Sequence, residues 1–231
     1  MSSIRIGTSG YSYSWNQGKP NPFEWYVDQG FNSVEINASF YRFPPESWIR
    51  TWISAPENFT FSIKVHRSIT HFNKLKGKSL ELWKKFRESL RSLENNGIID
   101  FWLFQMPLTY KYNQENLRCV NTFLESVNLE NKAVVEFRDQ LWWNGIDQVE
   151  HSGAVFCSVS APALPNKLIP SNDVVYLRMH GSKEWYNSIY SEKELDSILS
   201  QLKKANAERK VIYLNNDHGM LKNGQYILRH L

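Results

Sequence analysis

Cysteine is scarce in this chain: Cys119 and Cys157 are the only two among 231 residues. That is too few for a disulfide framework or a cysteine zinc site, and both are expected as buried free thiols. No apolar run approaches the roughly 18 consecutive residues that a membrane span requires. The opening Met1-Ser2-Ser3-Ile4-Arg5 leads straight into a strand pattern, so the expectation is a cytoplasmic protein with no signal peptide and no membrane partner. The first strand is followed by Gly7-Thr8-Ser9-Gly10-Tyr11, which lacks the G-x-G-x-x-G fingerprint of a dinucleotide-binding open sheet. No H-x-H or H-E-x-x-H spacing occurs to suggest a metal centre. Strong charge of one sign is missing too. A formal net charge of +4 favours approach to anions yet falls short of a dedicated nucleic-acid binder.

What the chain does have is alternation. Apolar residues make up 42% and charged residues 22%, the balance of an ordinary globular protein. Strand-like runs at Ile4–Ser9, Ser33–Asn37, Thr60–Val65, Asp100–Gln105, Ala133–Phe137, Ala154–Ser158, Val174–His180 and Lys210–Asn215 are separated by helix-like runs. Asn21-Pro22-Phe23-Glu24 offers an N-cap, a proline at the first helical position and an acid two residues on, with Gly30 as the stop. Ser191 and Glu194 make a capping box, after which Leu195, Ile198, Leu199 and Leu202 line one face. Leu82, Phe86, Leu90 and Leu93 form a second stripe, and Leu117, Val120, Leu124 and Val127 a third. Parallel strands need helical crossovers, so eight such units without a linker predict one (β/α)8-type barrel domain over residues 1–231.

Side chains alternate across a strand with period two, which sorts each run into a helix-facing set and an inward set. The inward set is polar: Glu35 and Asn37; Ser62, Lys64 and His66; Gln105; Glu136 and Arg138; Tyr176, Arg178 and His180; Tyr213, Asn215 and Asp217. Barrel interiors prefer Val, Ile and Leu, so this much inward polarity must be paired or used. A buried ion pair of Arg178 with Glu35 or Glu136 is as good a reading as a functional one for Glu35 and Arg178. His180 ends its strand before Gly181, where a functional role is favoured. His66, His71 and His218 are undecided, and His151 and His230 are expected at the surface.

At these residues the chain resembles a known family. The runs G-T-S-G-Y-S-Y-x-W (Gly7 to Trp15), V-E-I-N-A-S-F-Y-R (Val34 to Arg42) and F-S-I-K-V-x-R-x-I-T-H (Phe61 to His71) are similar to its first half. Q-M-P, V-E-F-R (Val135 to Arg138), R-M-H-G (Arg178 to Gly181), Y-x-x-x-Y (Tyr186 to Tyr190) and N-N-D (Asn215 to Asp217) are similar to its second. This is the domain of unknown function 72 family, also called YecE-like. The resemblance implies a TIM-type barrel without an established activity, similar in outline to endonuclease IV and sugar isomerase barrels. It carries over to Glu35, Asn37, Tyr41, Arg42, Lys64, Arg67, Thr70, His71, Gln105, Glu136, Arg138, Arg178, His180 and Asn216. Tyr11 stands where the family more often has Trp. Asp139 stands where a His commonly follows the F-R pair, which weakens any mechanism needing an imidazole there.

Two functional classes follow. In the first, the protein is an enzyme on a small anionic substrate, phosphorylated or carboxylated. Glu136, Glu35, His180 and Lys64 are its catalytic candidates. Asn37, Tyr41, Arg67, His71, Gln105, Arg138, Arg178 and Asn216 are its substrate-binding candidates, the guanidinium forks matching phosphate. No cofactor is identified. A divalent-metal variant, resembling endonuclease IV-type phosphoesterases, would use Glu136, His180 and Asp217, against the repulsion of nearby cations. In the second class the partner is single-stranded nucleic acid, stacked on Tyr11, Tyr13, Trp15, Tyr41, Trp142, Trp143, Trp185 and Tyr186. The preferred reading of these rings is packing over the strand ends.

Overall fold

The structure, a computed structural model, describes residues 3–231. Met1 and Ser2, with which the sequence reading begins, lie outside the described residues. The fold is mixed α/β with parallel sheets. Nine strands run in chain order: β1 (Ser3–Thr8), β2 (Ser33–Ile36), β3 (Thr60–Lys64), β4 (Ile99–Gln105), β5 (Ala133–Glu136), β6 (Val155–Phe156), β7 (Ser158–Ser160), β8 (Val174–Met179) and β9 (Arg209–Leu214). They form a four-stranded sheet in the order β1-β9-β8-β7 and a five-stranded sheet in the order β2-β3-β4-β5-β6. The chain divides into two compact units. The first takes the chain up to Glu35 and again from Ser158 to Leu231; the second is Ile36–Cys157.

Seven of the eight expected strands are present within a residue or two of their expected ends. The sixth is two strands. Val134 and Val135 of β5 pair with Val155 and Phe156, whereas Ser158, Val159 and Ser160 pair with Leu177, Arg178 and Met179 of β8. One extended run therefore serves two ladders, and a hydrophobic pattern is identical whichever neighbour a strand pairs with. Cys157, between the two, donates its backbone N–H to Val135 and is buried, as expected. Cys119 is only half-buried, because its thiol sits at the edge of helix α5 (Gln114–Val127), 3.5 Å from the carbonyl oxygen of Leu75.

In the first unit, helix α1 (Pro22–Asp28) begins on the expected proline. Asn21 does not cap through its side chain; its amide instead donates to Glu24 at 3.1 Å. Gly30 follows with φ +88°, a conformation glycine takes without penalty. Tyr26 of α1 is buried, stacks on Phe31 at 4.7 Å and donates its hydroxyl to the carbonyl of Ser33. Burial pushes that hydroxyl's pKa far up, so it remains a donor. Helix α7 (Glu192–Lys204) opens with the expected capping box: Ser191 accepts from the Glu194 N–H while Glu194 accepts from the Ser191 N–H. Its Leu195, Leu199 and Leu202 are buried and Ile198 is half-buried. Helix α8 (Met220–His230) packs on β1, β9 and α7.

In the second unit, the stripe from Leu82 to Leu93 spans two helices, α3 (Ser79–Glu88) and α4 (Arg91–Asn95). The Ser89 hydroxyl donates to the carbonyl of Phe86, and side-chain bonds of this kind compete with helical ones and end the first helix. Buried tryptophans carry much of this core. Trp83 of α3 meets Trp102 of β4 edge-on at 5.0 Å. Trp142 stacks on Phe137 at 3.8 Å and donates its indole N–H to Tyr110. Fully burying such side chains contributes about 1.5–3 kcal/mol each.

Candidate functional site

Two polar clusters lie at strand ends, one in each unit. The cluster of the first unit is built on β8. Tyr176 and Arg178, two residues apart, both reach Glu35 of β2, as period-two alternation requires of residues on one face. The Arg178 Nη2 donates to Glu35 Oε1 at 2.7 Å, Ser9 donates to the same oxygen at 2.8 Å, and Tyr176 donates to Oε2 at 2.8 Å. Glu35, Arg178 and Ser9 are closed to solvent. A buried carboxylate is tolerable when it is paired and its lone pairs are met by donors, and here both oxygens are met.

His180 follows at the next alternate position. Its Nε2 lies 3.4 Å from Arg178 Nη1, and its Nδ1 lies 3.1 Å from the side-chain amide of Asn215. A guanidinium only donates, so this contact asks Nε2 to accept and puts the ring proton on Nδ1, where the amide oxygen of Asn215 can receive it. Gly181 comes next at φ +112°, and a Cβ there would stand 2.3 Å from the carbonyl oxygen of Glu184. Its N–H donates to the Tyr190 hydroxyl, which in turn donates to Ser160. The R-M-H-G and Y-x-x-x-Y runs are thus one hydrogen-bonded unit. Asn216 is buried and gives its amide N–H groups to Ser188 and Asn223. Asp217 is half-buried beside it in sequence.

The cluster of the second unit draws on the ends of β3 and β5 and the turns that follow. Glu136 is buried and ion-paired through Oε1 with Nε of Arg138, whose side chain is 11% exposed. Lys64, half-buried, places Nζ 4.4 Å above the ring of Phe40, a cation–π contact. The same ring meets His71 edge-on at 4.7 Å. His71 Nδ1 lies 3.0 Å from the Thr70 hydroxyl. Burial first, then the charges of Lys64 and Arg138, hold the imidazole pKa at about 4, against an upward pull from Glu136. His71 is accordingly a neutral ring at pH 7.

The remaining candidates lie around this second cluster. Gln105 pairs in register with Glu136 and donates its amide to the carbonyl of Met106. Asn37 is half-buried at the start of the turn Ala38–Phe40. Tyr41 is 63% exposed, and Arg67 places its guanidinium 5.8 Å from the Tyr41 ring. His66 bonds Ser68 at 2.8 Å, and burial holds its pKa below the usual value. Asp139, in the position where an imidazole was expected, accepts from the backbone N–H of Tyr112 at 3.0 Å and lies 3.4 Å from Lys111 Nζ. Phe40, Ser9 and Asn215 take part in these clusters without having been singled out. Ser9 and Phe40 fall within the quoted runs, but nothing in a serine or phenylalanine by itself marks such a role.

Among the described residues no group of three His, Cys, Asp or Glu side chains could hold a metal ion. Nor is any helix long and apolar enough to cross a membrane.

The class these observations define is a mixed α/β protein with parallel sheets and ionic clusters at its strand ends. The chain belongs to the DUF72 family of proteins of unknown function, whose model matches residues 5–224. It is similar to a DUF72 family protein of Thermotoga maritima, with 25% identity, a TM-score of 0.84 and 98% of each chain covered. It is also similar to a DUF72 family protein of Enterococcus faecalis, with 20% identity, a TM-score of 0.82, and 99% of this chain and 96% of that one covered. No curated protein matches the chain.

Proposed function

We propose that the protein is an enzyme acting on an anionic, phosphorylated or carboxylated substrate. Lys64 and Arg138 hold the anion, and Glu136 serves as the acid–base group. The observation that carries this reading is the charge around His71: the cations Lys64 and Arg138 stand against one carboxylate, Glu136. Cations gathered on a neutral imidazole repel one another unless an anion joins them, and a partly desolvated cation pair binds an anion far better than exposed lysines do. Glu136, held by Arg138 at a strand's carboxyl end, is oriented as a general acid or base must be. The architecture of this reading is one (β/α)8-type barrel domain with the two parallel sheets as its parts, a choice supported by the strand–helix alternation of the chain. Glu35 and Arg178 act in it as a structural pair that positions His180.

Calorimetric titration with inorganic phosphate tests the reading. The protein should bind phosphate, and Lys64→Ala and Arg138→Ala should each weaken binding about ten- to a hundredfold, the usual worth of a charge-assisted hydrogen bond. Absence of binding, or binding indifferent to both changes in variants that melt normally, would refute it.

A further inference from the structure

Resting on the anion reading above, we infer that the substrate is a nucleotidyl unit, its base stacked on a platform made by Tyr41, Arg67 and Phe72. Tyr41 and Phe72 are the two most exposed large hydrophobic side chains among the described residues, at 63% and 68%. They belong to different turns. Tyr41 closes the turn Ala38–Phe40, and Phe72 ends the helical turn Ser68–Phe72. The guanidinium of Arg67 lies 5.8 Å from one ring centre and 5.5 Å from the other. Two open aromatic faces are thereby held about one planar cation, which is the surface single nucleobases stack on. Sugars and simple carboxylic acids have no flat π-face to match it.

The platform adjoins the anion cluster. Tyr41 meets Phe40 edge-on at 5.1 Å, and that same Phe40 ring carries Lys64 and touches His71. A ligand that satisfies both features is anionic at one end and flat and aromatic at the other. A nucleotide has this form, with its phosphate toward Lys64 and Arg138 and its base toward Tyr41 and Phe72. The unit can come from a free nucleotide or from the end of a single strand, and the chemistry of recognition is shared.

The test is calorimetry on the full chain with inorganic phosphate, ribose 5-phosphate, adenosine 5′-monophosphate and a ten-residue thymidine oligonucleotide. Adenosine 5′-monophosphate should bind about tenfold or more tightly than ribose 5-phosphate, the increment expected of one stacked base. Phe72→Ala should erase that increment and Phe72→Trp should keep it. An oligonucleotide that binds more tightly than the mononucleotide, with a steep salt dependence, identifies a strand as the source; equal or weaker binding identifies the free nucleotide. If phosphate binds but the base adds nothing, or if Phe72→Ala leaves the increment intact, the inference is overturned while the anion reading stands. If inorganic phosphate and ribose 5-phosphate both fail to bind, the anion reading itself has failed.

Discussion

Arg178 Nη2 lies 2.7 Å from Glu35 Oε1, and neither side chain has any surface open to water. With the Ser9 and Tyr176 hydroxyls also donating to Glu35, the carboxylate is fully engaged within its own unit. Glu35→Gln keeps the shape and removes the charge, leaving Arg178 buried without its counter-ion. Loss of one partner of a buried pair typically costs about 3–5 kcal/mol, to be read from urea unfolding. A loss below about 1 kcal/mol would mean that Arg178 is balanced in another way.

His71 should titrate at about 4 when followed by NMR of its ring protons. This folded value lies below the 6.5 of an unfolded chain, so the unfolded state takes up the proton first. Stability associated with His71 is therefore whole above pH 6.5 and declines as pH falls toward 4. His66, also shifted down, adds to the same slope. His71→Gln should flatten it. Phosphate bound by Lys64 and Arg138 would screen their charges and raise the midpoint; a midpoint near 6.5 without ligand would remove the electrostatic basis of the site.

Glu136→Gln separates chemistry from scaffolding. Arg138 keeps some access to water, so the unpaired guanidinium that remains can be hydrated, and the melting temperature should change little. Turnover found by an activity screen should disappear, a loss of general acid–base catalysis being worth about 10²–10⁴-fold. A sharp fall in melting temperature with activity kept per folded molecule would make Glu136 a counter-ion only.

Gly181→Ala should destabilise the first unit. The residue sits at φ +112°, and the added methyl group would run into the carbonyl of Glu184. The backbone conformation alone costs about 1–3 kcal/mol for a residue with a Cβ. The displaced N–H would also leave Tyr190, so thermal unfolding and the environment of the Tyr190 ring should change together. A variant as stable as the parent would show that the turn relaxes freely.

The sequence by itself determined the alternation of strands and helices, the Ser191–Glu194 cap and the polar faces of β8 and β5. All of these are local. Helical spacing, capping chemistry and period-two alternation are written in neighbouring residues, and Tyr176, Arg178 and His180 had to share a face wherever β8 was placed. Pairing was decided only in three dimensions. Glu35 had two arginines open to it on sequence grounds, and the fold gave it Arg178 while giving Arg138 to Glu136. The run Val155–Ser160 was one strand by pattern and became two, because hydrogen-bond partners and not residue types decide which ladder a strand joins. The Tyr41–Arg67–Phe72 stack was equally silent: its members come from two turns, and no periodicity records that turns distant in sequence will meet.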